Sequence, residues 1–213
     1  MLLQEIGTTY MTRIPMVLLF LSSCSAISYS ELPGLVKDSV FGVDFEVTNE
    51  FYDSQPYSFA KIKVGRSIVA ITVLVKVQNG TYTWISQDGE RIYTRDGKII
   101  ETDGLAHDIK ILDSNNLKPI PFTEFTSNTM KYQEILLQLD RPHAIVSHFL
   151  SFSEVGVDSS YFNTMLYKEA FDSGKLAWKK DNLYWVDTEG RVIKTEQYIH
   201  PKMPKITMEF YYK

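Results

Sequence analysis

The four histidines are the first side chains to consider for chemistry, because an imidazole can act as a general base or bind a metal. They are His107, His143, His148 and His200. His143 and His148 are five residues apart, and this spacing matches neither a metal-binding pair on a helix nor a zinc motif. His107 is followed by Asp108, but adjacent side chains of a strand point in opposite directions. We therefore interpret His107 and Asp108 as solvated loop residues, and the sequence predicts no metal site.

Other catalytic patterns are missing from the sequence. It contains no Gly-x-Ser-x-Gly nucleophile elbow and no glycine-rich phosphate loop. Asp88, Asp96 and Asp103 each precede a glycine. This pattern indicates turns more strongly than it indicates a pair of catalytic carboxylates. We predict a protein that is not an enzyme and that needs no cofactor, and we keep an enzyme as an alternative.

Aromatic side chains are the candidates for binding a sugar ring. The set comprises Trp84, Tyr93, Trp178, Tyr184 and Trp185. Aromatic residues in strands more often pack in the core or across neighbouring strands. Because Tyr184 and Trp185 are adjacent, we expect one of these two rings to lie nearer the solvent. A glycan-binding module is therefore the second hypothesis, and buried tryptophans would count against it.

The single cysteine, Cys24, follows the short apolar run Ile14–Leu21, which Arg13 precedes. This arrangement is typical of a secretory signal, and the run is far shorter than the roughly 20 residues of a membrane-spanning helix. Leu21-Ser22-Ser23-Cys24 resembles the bacterial lipobox, whose cysteine is acylated and becomes the first mature residue. Ordinary signal cleavage nearby and an unmodified thiol are the alternatives. An unpaired thiol is unusual in a secreted protein, so we predict lipidation of Cys24.

The domain prediction follows from the lipobox. Residues 1–23 are predicted to be a signal peptide, whose true start is expected at Met11 because the first ten residues contain Glu5 and no Lys or Arg. Residues 24–30 would form a lipidated tether and residues 31–213 one periplasmic domain. Ser25 stands where lipoproteins retained in the inner membrane usually have Asp, so the sequence predicts the periplasmic face of the outer membrane.

Composition limits the partners. The chain is 44% hydrophobic, which is enough for a real core, and its net charge is −4. It has no long basic run, so nucleic acid is not an expected partner. The expected membrane contact is the lipid anchor.

The elements that must position these residues are mainly strands. A helix is predicted over Glu31–Phe51, ended by Gln55-Pro56. Ile68–Val77 is rich in β-branched residues and predicts a central strand with apolar neighbours on both faces. Asn79-Gly80 predicts the hairpin turn to the next strand. The other predicted strands are Thr81–Ser86, Arg91–Thr94, Lys98–Thr102, Ala144–Phe152, Tyr161–Phe171, Lys175–Lys180, Asn182–Asp187, Val192–Gln197 and Ile206–Tyr212, with a strand or short helix at Met130–Asp140.

Tight turns complete the prediction. They are expected at Asp88-Gly89, Asp96-Gly97, Lys180-Asp181 and Glu189-Gly190, with a loop at Asp113–Asn116 and an edge strand or linker at Leu117–Phe125. The predicted fold is mainly β, an antiparallel β-sandwich or barrel-like meanders with one N-terminal helix. Asp96–Thr102 also resembles Glu189–Thr195 in residue type, with Trp84 and Trp178 at similar distances upstream. This is either a duplicated architecture or the reuse of one turn chemistry.

Two groups of motifs together resemble the YjbF/GfcB lipoproteins, the group 4 capsule polysaccharide lipoprotein family. The first runs from Trp84-Ile85-Ser86-Gln87-Asp88 to Gly97–Leu105, after Pro56-Tyr57 and the Ile68–Val77 strand. The second comprises Tyr184-Trp185-Val186-Asp187 and then Gly190, Gln197 and Pro201. The resemblance spans about Pro56 to Tyr212. Lys98 replaces the family's usual Arg and Thr195 its usual Ser, which puts any bidentate contact at position 98 in doubt.

This resemblance implies an accessory role in exopolysaccharide or capsule assembly or export at the outer membrane. The implied partners are an outer-membrane barrel or periplasmic export proteins, and a polysaccharide is a further candidate. The enzyme alternative then becomes a periplasmic polysaccharide-modifying enzyme. The motif positions taken as candidate binding residues are Trp84, Asp88, Gly97, Thr102, Gly104, Leu105, Trp185, Gly190, Gln197 and Pro201.

Overall fold

The computed structural model describes residues 46–67, 69–112, 130–137, 144–159, 161 and 164–213. All of them lie in one compact unit, Gly34–Lys213. The signal segment, Cys24 and its tether lie outside the described residues, as do the predicted loop Asp113–Asn116 and the segment Leu117–Phe125. None of the helices described has the length and hydropathy that crossing a membrane requires.

Twelve strands of the described chain form a closed antiparallel barrel. Each strand pairs with the next along the sequence, and the last pairs with the first. The strands are β1 (Phe59–Val64), β2 (Ala70–Gln78), β3 (Thr81–Ser86), β4 (Arg91–Arg95), β5 (Lys98–Asp103), β6 (Ile109–Ile111), β7 (Met130–Leu137), β8 (Ala144–Asp158), β9 (Thr164–Ser173), β10 (Trp178–Val186), β11 (Val192–Gln197) and β12 (Ile206–Tyr211). One helix, α1 (Asn49–Ser54), precedes them. The predicted mainly antiparallel β fold is confirmed.

Two tight turns have the backbone conformation that their sequences predict. Asn79 and Gly80 have φ angles of 50° and 74°, and Asp96 and Gly97 have 48° and 74°. Positive φ at both central residues is the property of the hairpin turns that match the twist of paired strands. These turns fix the register of β2 with β3 and of β4 with β5.

The barrel interior is filled by side chains. Alternate residues of β12 are buried, as expected for strands with one face inside. Trp84, Tyr184, Ile206 and Met208 are completely buried and belong to one hydrophobic cluster. A second, smaller cluster comprises Leu150, Phe152, Phe171 and Trp178.

The helix differs from its prediction. Most of Glu31–Phe51 lies outside the described residues, and residues 46–48 are not helical. Thr48 is extended, and its Oγ1 accepts a hydrogen bond from the Phe51 backbone at 3.1 Å, which caps α1. The helix ends before Gln55, which is extended, as predicted for a residue preceding proline.

The predictions for β2 and β10 need correction. β2 is not buried on both faces, because Val75 and Val77 are about half exposed. β1 pairs only with the first part of β2, up to Val73, so the rest of β2 extends beyond that neighbour. Lys180-Asp181 is not a turn; both residues lie inside β10, which pairs with β9 along its whole length.

The two similar segments occupy different places in the topology. Trp84 lies on β3, so a complete strand, β4, separates it from the Asp96-Gly97 turn. Trp178 lies on β10, which leads directly into the Glu189-Gly190 turn. Their similar spacing therefore does not correspond to two equivalent halves.

Candidate functional site

Trp84 is a core residue. Its side chain has no exposed surface, and its Nε1 donates a hydrogen bond to Thr94 Oγ1 at 2.9 Å. The ring lies 5.3 Å from that of Phe210 on β12. Trp84 thus joins β3, β4 and β12, and it offers no surface for a ligand.

The segment that follows β5 is held by one carboxylate. Asp108 accepts hydrogen bonds from Thr102 Oγ1 at 2.8 Å, from the Gly104 backbone at 3.0 Å and from the Leu105 backbone at 3.1 Å. Thr102 Oγ1 in turn accepts from the Ile109 backbone at 3.1 Å. Three of the motif residues therefore form a turn, and Asp108 is its structural centre.

His107, in the same segment, packs against a second histidine. Its ring stacks on His200 at 4.7 Å. His200 is fully buried, and its Nδ1 accepts a hydrogen bond from the Lys202 backbone at 3.1 Å. The part of the chain that the structure describes contains no group of three or more metal-ligating side chains.

Gly97 and Gln197 bring the two motif groups together. Gln197 Nε2 donates to the Gly97 carbonyl at 2.8 Å, and Gln197 Oε1 accepts from the Ile99 backbone at 3.0 Å. A Cβ atom on Gly97 would lie 2.4 Å from Val192 Cγ1, so only glycine fits this contact. The β4–β5 turn therefore packs directly on β11.

Beside this junction lies a buried ion pair that the sequence did not reveal. Glu169 is completely buried. Its Oε1 binds the Lys98 ammonium, and its Oε2 accepts from Tyr184 Oη at 2.6 Å and Asn182 Nδ2 at 3.1 Å. Lysine suits this place because the second carboxylate oxygen already has two donors. The absent arginine fork is therefore not needed for this contact.

The electrostatics of the pair follow from these contacts. Burial alone would raise the pKa of the Glu169 carboxyl, but the Lys98 ammonium and three hydrogen bonds to its charged form hold that pKa below its usual value. Burial and the neighbouring carboxylate raise the pKa of Tyr184 well above 10. The interior therefore holds an ionised Glu169 beside a neutral Tyr184 at neutral pH.

His148 lies next to this ion pair. It packs between Phe171, whose ring is stacked at 4.9 Å, and Trp178, whose ring is at 5.4 Å. Its Nε2 is buried with no hydrogen-bond partner among the described residues. Burial, with a further effect of Lys98, lowers its pKa to about 4. A cavity of about 20 Å³, large enough for one water molecule, lies among His148, Glu169 and Lys98.

The expectation that either Tyr184 or Trp185 lies near solvent is wrong. Tyr184 is fully buried and Trp185 is 6% exposed. Trp185 Nε1 donates to Asp158 Oδ2 at 2.8 Å, and the Lys194 ammonium lies 4.7 Å from its ring. Tyr161 contacts the same ring edge-on. A strand residue that points away from the core is here covered by neighbouring side chains.

The remaining motif residues lie in separate exposed turns. Asp88 is in the β3–β4 turn, Gly190 in the β10–β11 turn and Pro201 in the β11–β12 loop. Gly190 has φ of 82°, and a Cβ atom there would meet no other atom within 4 Å. The motif residues therefore fall into a buried framework and exposed turns rather than one binding site.

One concave surface of the described residues is a groove of about 840 Å³, here called the charged groove. It is lined by Leu150, Ser151, Ala170, Phe171, Asp172, Lys179, Lys180, Asp181, Leu183, Glu196, Tyr198 and Lys205. Its carboxylates are paired with lysines: Asp172 with Lys179 at 2.6 Å, Asp181 with Lys168 at 3.5 Å, and Glu196 with Lys205. None of the motif residues lines it. Because the sequence predicted a turn at Lys180-Asp181, it did not indicate that β10 forms one wall of this groove.

The comparisons with known proteins agree with one another. The family model described as "Group 4 capsule polysaccharide lipoprotein gfcB, YjbF" matches residues 34–211. The chain is 25% identical over 196 residues to the "Uncharacterized lipoprotein YjbF" of Escherichia coli strain K12, covering 86% of this chain and 89% of that protein. The crystal structure of the hypothetical lipoprotein YmcC from Escherichia coli K12 has the same fold, with a TM-score of 0.68 and 19% identity. That match covers 80% of this chain and 91% of the other.

Proposed function

Because this chain belongs to the group 4 capsule polysaccharide lipoprotein family, we propose that it is a non-enzymatic accessory of exopolysaccharide or capsule assembly and export. In this proposal, lipid chains on Cys24 hold it to the periplasmic face of the outer membrane. Its partners are an outer-membrane barrel or periplasmic export proteins, and it acts by contact with them or with the polymer.

The filled interior is the observation that carries this proposal. Trp84 and Tyr184 occupy the centre of the barrel with no exposed surface, and the inner cavity has room for about one water molecule. A polymer passing through this interior would have to displace the hydrophobic core. The protein is therefore expected to work through its outer surface.

The contacts of the Glu169 and Asp108 carboxylates support a structural role better than a catalytic one. A general acid or base must reach its substrate within hydrogen-bond distance. Glu169 is completely buried and already bound by Lys98, Asn182 and Tyr184. Asp108 accepts three hydrogen bonds from its own turn. These contacts support assigning both carboxylates to folding.

The proposal is tested by deleting the gene in the bacterium that encodes this chain. We expect less exopolysaccharide on the cell surface, with polymer or its precursors retained inside the envelope, and recovery with the wild-type protein. Purified full-length protein incubated with the polymer should leave its chain length and substituents unchanged. Normal surface polymer in the deletion strain would refute the export role, and altered polymer in the incubation would show an enzyme.

A further inference from the structure

We propose that the charged groove binds a neutral, hydroxyl-rich oligosaccharide segment, a ligand that deepens the proposed function and rests on it. The groove is concave, and its volume of about 840 Å³ lies within the range typical of small-molecule sites, roughly 300–1,000 Å³. The tryptophans of the glycan-binding hypothesis do not contribute, because all three are buried. The proposed binding surface is formed by the residues that line the charged groove.

The charges of the groove favour a neutral ligand. Its lining contains three lysines and three carboxylates, so their formal charges cancel. A polyanion is bound by an excess of Lys and Arg, which this lining lacks. A ligand with many hydroxyl groups carries no net charge, and its hydroxyls can bind the lysines and the carboxylates at the same time.

The lysine–carboxylate pairs supply matched donors and acceptors. One hydroxyl group donates one hydrogen bond and accepts two, so neighbouring hydroxyls of a sugar can bind Lys179 and Asp172 together. The Lys179 side chain is 73% exposed and that of Asp172 is 38% exposed. Solvent-exposed ion pairs contribute little to stability, so a ligand can open this pair at low energetic cost.

The Asp172 carboxylate offers a further acceptor for a ligand hydroxyl. Its Oδ1 is buried and has no hydrogen-bond partner among the described residues. An unsatisfied buried acceptor is costly. When the Lys179 pair opens, the carboxylate can turn and present this oxygen to a ligand hydroxyl. The acceptor lies on the residue whose other oxygen already binds Lys179.

Tyr198 supplies an aromatic face at the groove. It is only partly buried and packs against the smaller hydrophobic cluster, whose members Leu150 and Phe171 are only 3% and 5% exposed. Tyr198 is fixed by a 2.7 Å hydrogen bond from its backbone to Asn182 Oδ1, and the Lys180 ammonium lies 5.0 Å from its ring. A sugar has apolar C–H faces as well as hydroxyls, so the combination of the Tyr198 ring and the charged side chains fits it.

A protein partner fits the same surface less well. The centres of protein interfaces are depleted in Lys, Glu and Asp, which make up six of the twelve lining residues. The exposed large hydrophobic side chains, such as Val77, Ile145 and Val157, lie elsewhere.

The test uses the full-length lipoprotein in detergent and short oligosaccharides released by mild acid from the bacterium's own exopolysaccharide. Binding is measured by titration calorimetry and by saturation transfer from protein to sugar protons. Asp172→Ala and Lys179→Ala should each weaken binding about tenfold, which corresponds to the loss of about one good hydrogen bond to a charged group. Lys179 is highly exposed, so its replacement leaves the fold intact.

Glu101→Ala is the matched control. Glu101 is also ion-paired, with Lys110 at 2.8 Å, and is 36% exposed, but it does not line the groove. Wild-type affinity in this variant, together with loss in the two groove variants, supports the proposal. Equal affinity in all four proteins, or no binding by the wild type, overturns it. A photo-reactive group at position 179 that captures an envelope protein while oligosaccharide fails to bind also overturns it.

The failure of this site is distinguishable from the failure of the proposed function. If the wild type binds no sugar but restores surface polymer in the deletion strain, the site is wrong and the accessory role stands. If the wild type binds sugar but its deletion leaves surface polymer unchanged, the site stands and the export role is wrong.

Discussion

Gly97 and Gly190 follow an acidic residue in two similar turns, yet their surroundings differ. Both have positive φ angles, which a residue with a side chain adopts at a cost of about 1–2 kcal/mol. At Gly97 an added Cβ would also meet Val192 at 2.4 Å, whereas at Gly190 the space is open. Gly97 is therefore a packing residue, and Gly190 serves only its turn.

Gly97→Ala tests this difference. We expect a loss of about 3 kcal/mol in the free energy of unfolding, because the overpacking of Val192 adds to the backbone cost. Gly190→Ala should lose only about 1 kcal/mol. Urea unfolding of the two variants beside the wild type measures both values. Equal losses would show that the contact between the β4–β5 turn and β11 is not tight.

The Lys98–Glu169 pair gives a second prediction at the residue scale. Lys98→Met leaves the Glu169 carboxylate buried without its cation, so we expect a loss of about 3–5 kcal/mol at pH 7. The double variant Lys98→Met, Glu169→Gln should recover part of that loss, since no charge is then buried. Denaturant unfolding of the three proteins measures the effect. A double variant less stable than Lys98→Met would mean that the unpaired charge of Glu169 is not the main cause of the loss.

His148 predicts a pH dependence whose sign is fixed. Its pKa is lowered from 6.5 to about 4 in the folded state, so below pH 6.5 the unfolded chain binds the proton more readily. Stability therefore falls as the pH drops from 6.5 to 4, by up to about 3 kcal/mol from this residue. In His148→Phe this contribution is absent, and the new ring remains beside Phe171 and Trp178.

The difference in unfolding free energy between His148→Phe and the wild type isolates the histidine, because the carboxylates titrate in both proteins. We expect this difference to shift in favour of the variant as the pH is lowered from 7 to about 4.5. Measurements at several pH values in one buffer series test it. A difference that does not change with pH would mean that His148 is protonated equally in both states.

At the scale of elements, β10 contains the clearest prediction about register. An extra glycine between Asp181 and Asn182 would move Trp178 to the opposite face relative to Asn182, because side chains alternate along a strand. We expect a loss of more than about 3 kcal/mol, comparable to removing a buried tryptophan.

The control is the same insertion between Thr188 and Glu189, two exposed residues of the β10–β11 turn. Exposed turns tolerate insertions, so its melting temperature should stay close to that of the wild type. Thermal unfolding followed by circular dichroism compares the two proteins. If both insertions were tolerated equally, Lys180-Asp181 would behave as the turn that the sequence suggested.

The elements that could be predicted are those with a local cause. Asn79-Gly80 and Asp96-Gly97 are turns because both positions need positive φ, which these residues adopt readily. β3 and β11 match their predicted bounds. Lys180-Asp181 misled the prediction because consecutive charged residues usually mark a loop, whereas here they form one wall of a groove.

The buried ion pair could not be predicted because its cause is not local. Lys98 and Glu169 are 71 residues apart, and each residue alone reads as a surface charge. The alternating burial of β9 places Glu169 on the inner side, but that alternation identifies an inner face only once the barrel is closed. The burial of Trp185 could not be predicted for the same reason, because Asp158 and Tyr161, which contact its ring, lie on other segments.

At the scale of the whole molecule, the buried motif residues stabilise the barrel, and the charged groove is the surface that we propose contacts a ligand. The motif residues Trp84, Thr102 and Gln197 are buried and hold strands together. The groove lies on β8 to β11 and the segment before β12, and none of those motif residues lines it. A search for function guided by the motifs alone would therefore lead to the framework rather than to the surface proposed to bind a ligand.

The anchor gives the last prediction, because a protein that acts by contact must be held where its partners are. Cys24→Ala should no longer incorporate labelled palmitate and should leave the membrane fraction, since acyl chains at this thiol are the expected anchor. Ser25→Asp should still be labelled but should move from the outer to the inner membrane, where lipoproteins with Asp at this position are usually retained. Fractionation on a density gradient separates the three outcomes. An outer-membrane Cys24→Ala protein would mean that a protein contact, and not lipid, holds the domain in place.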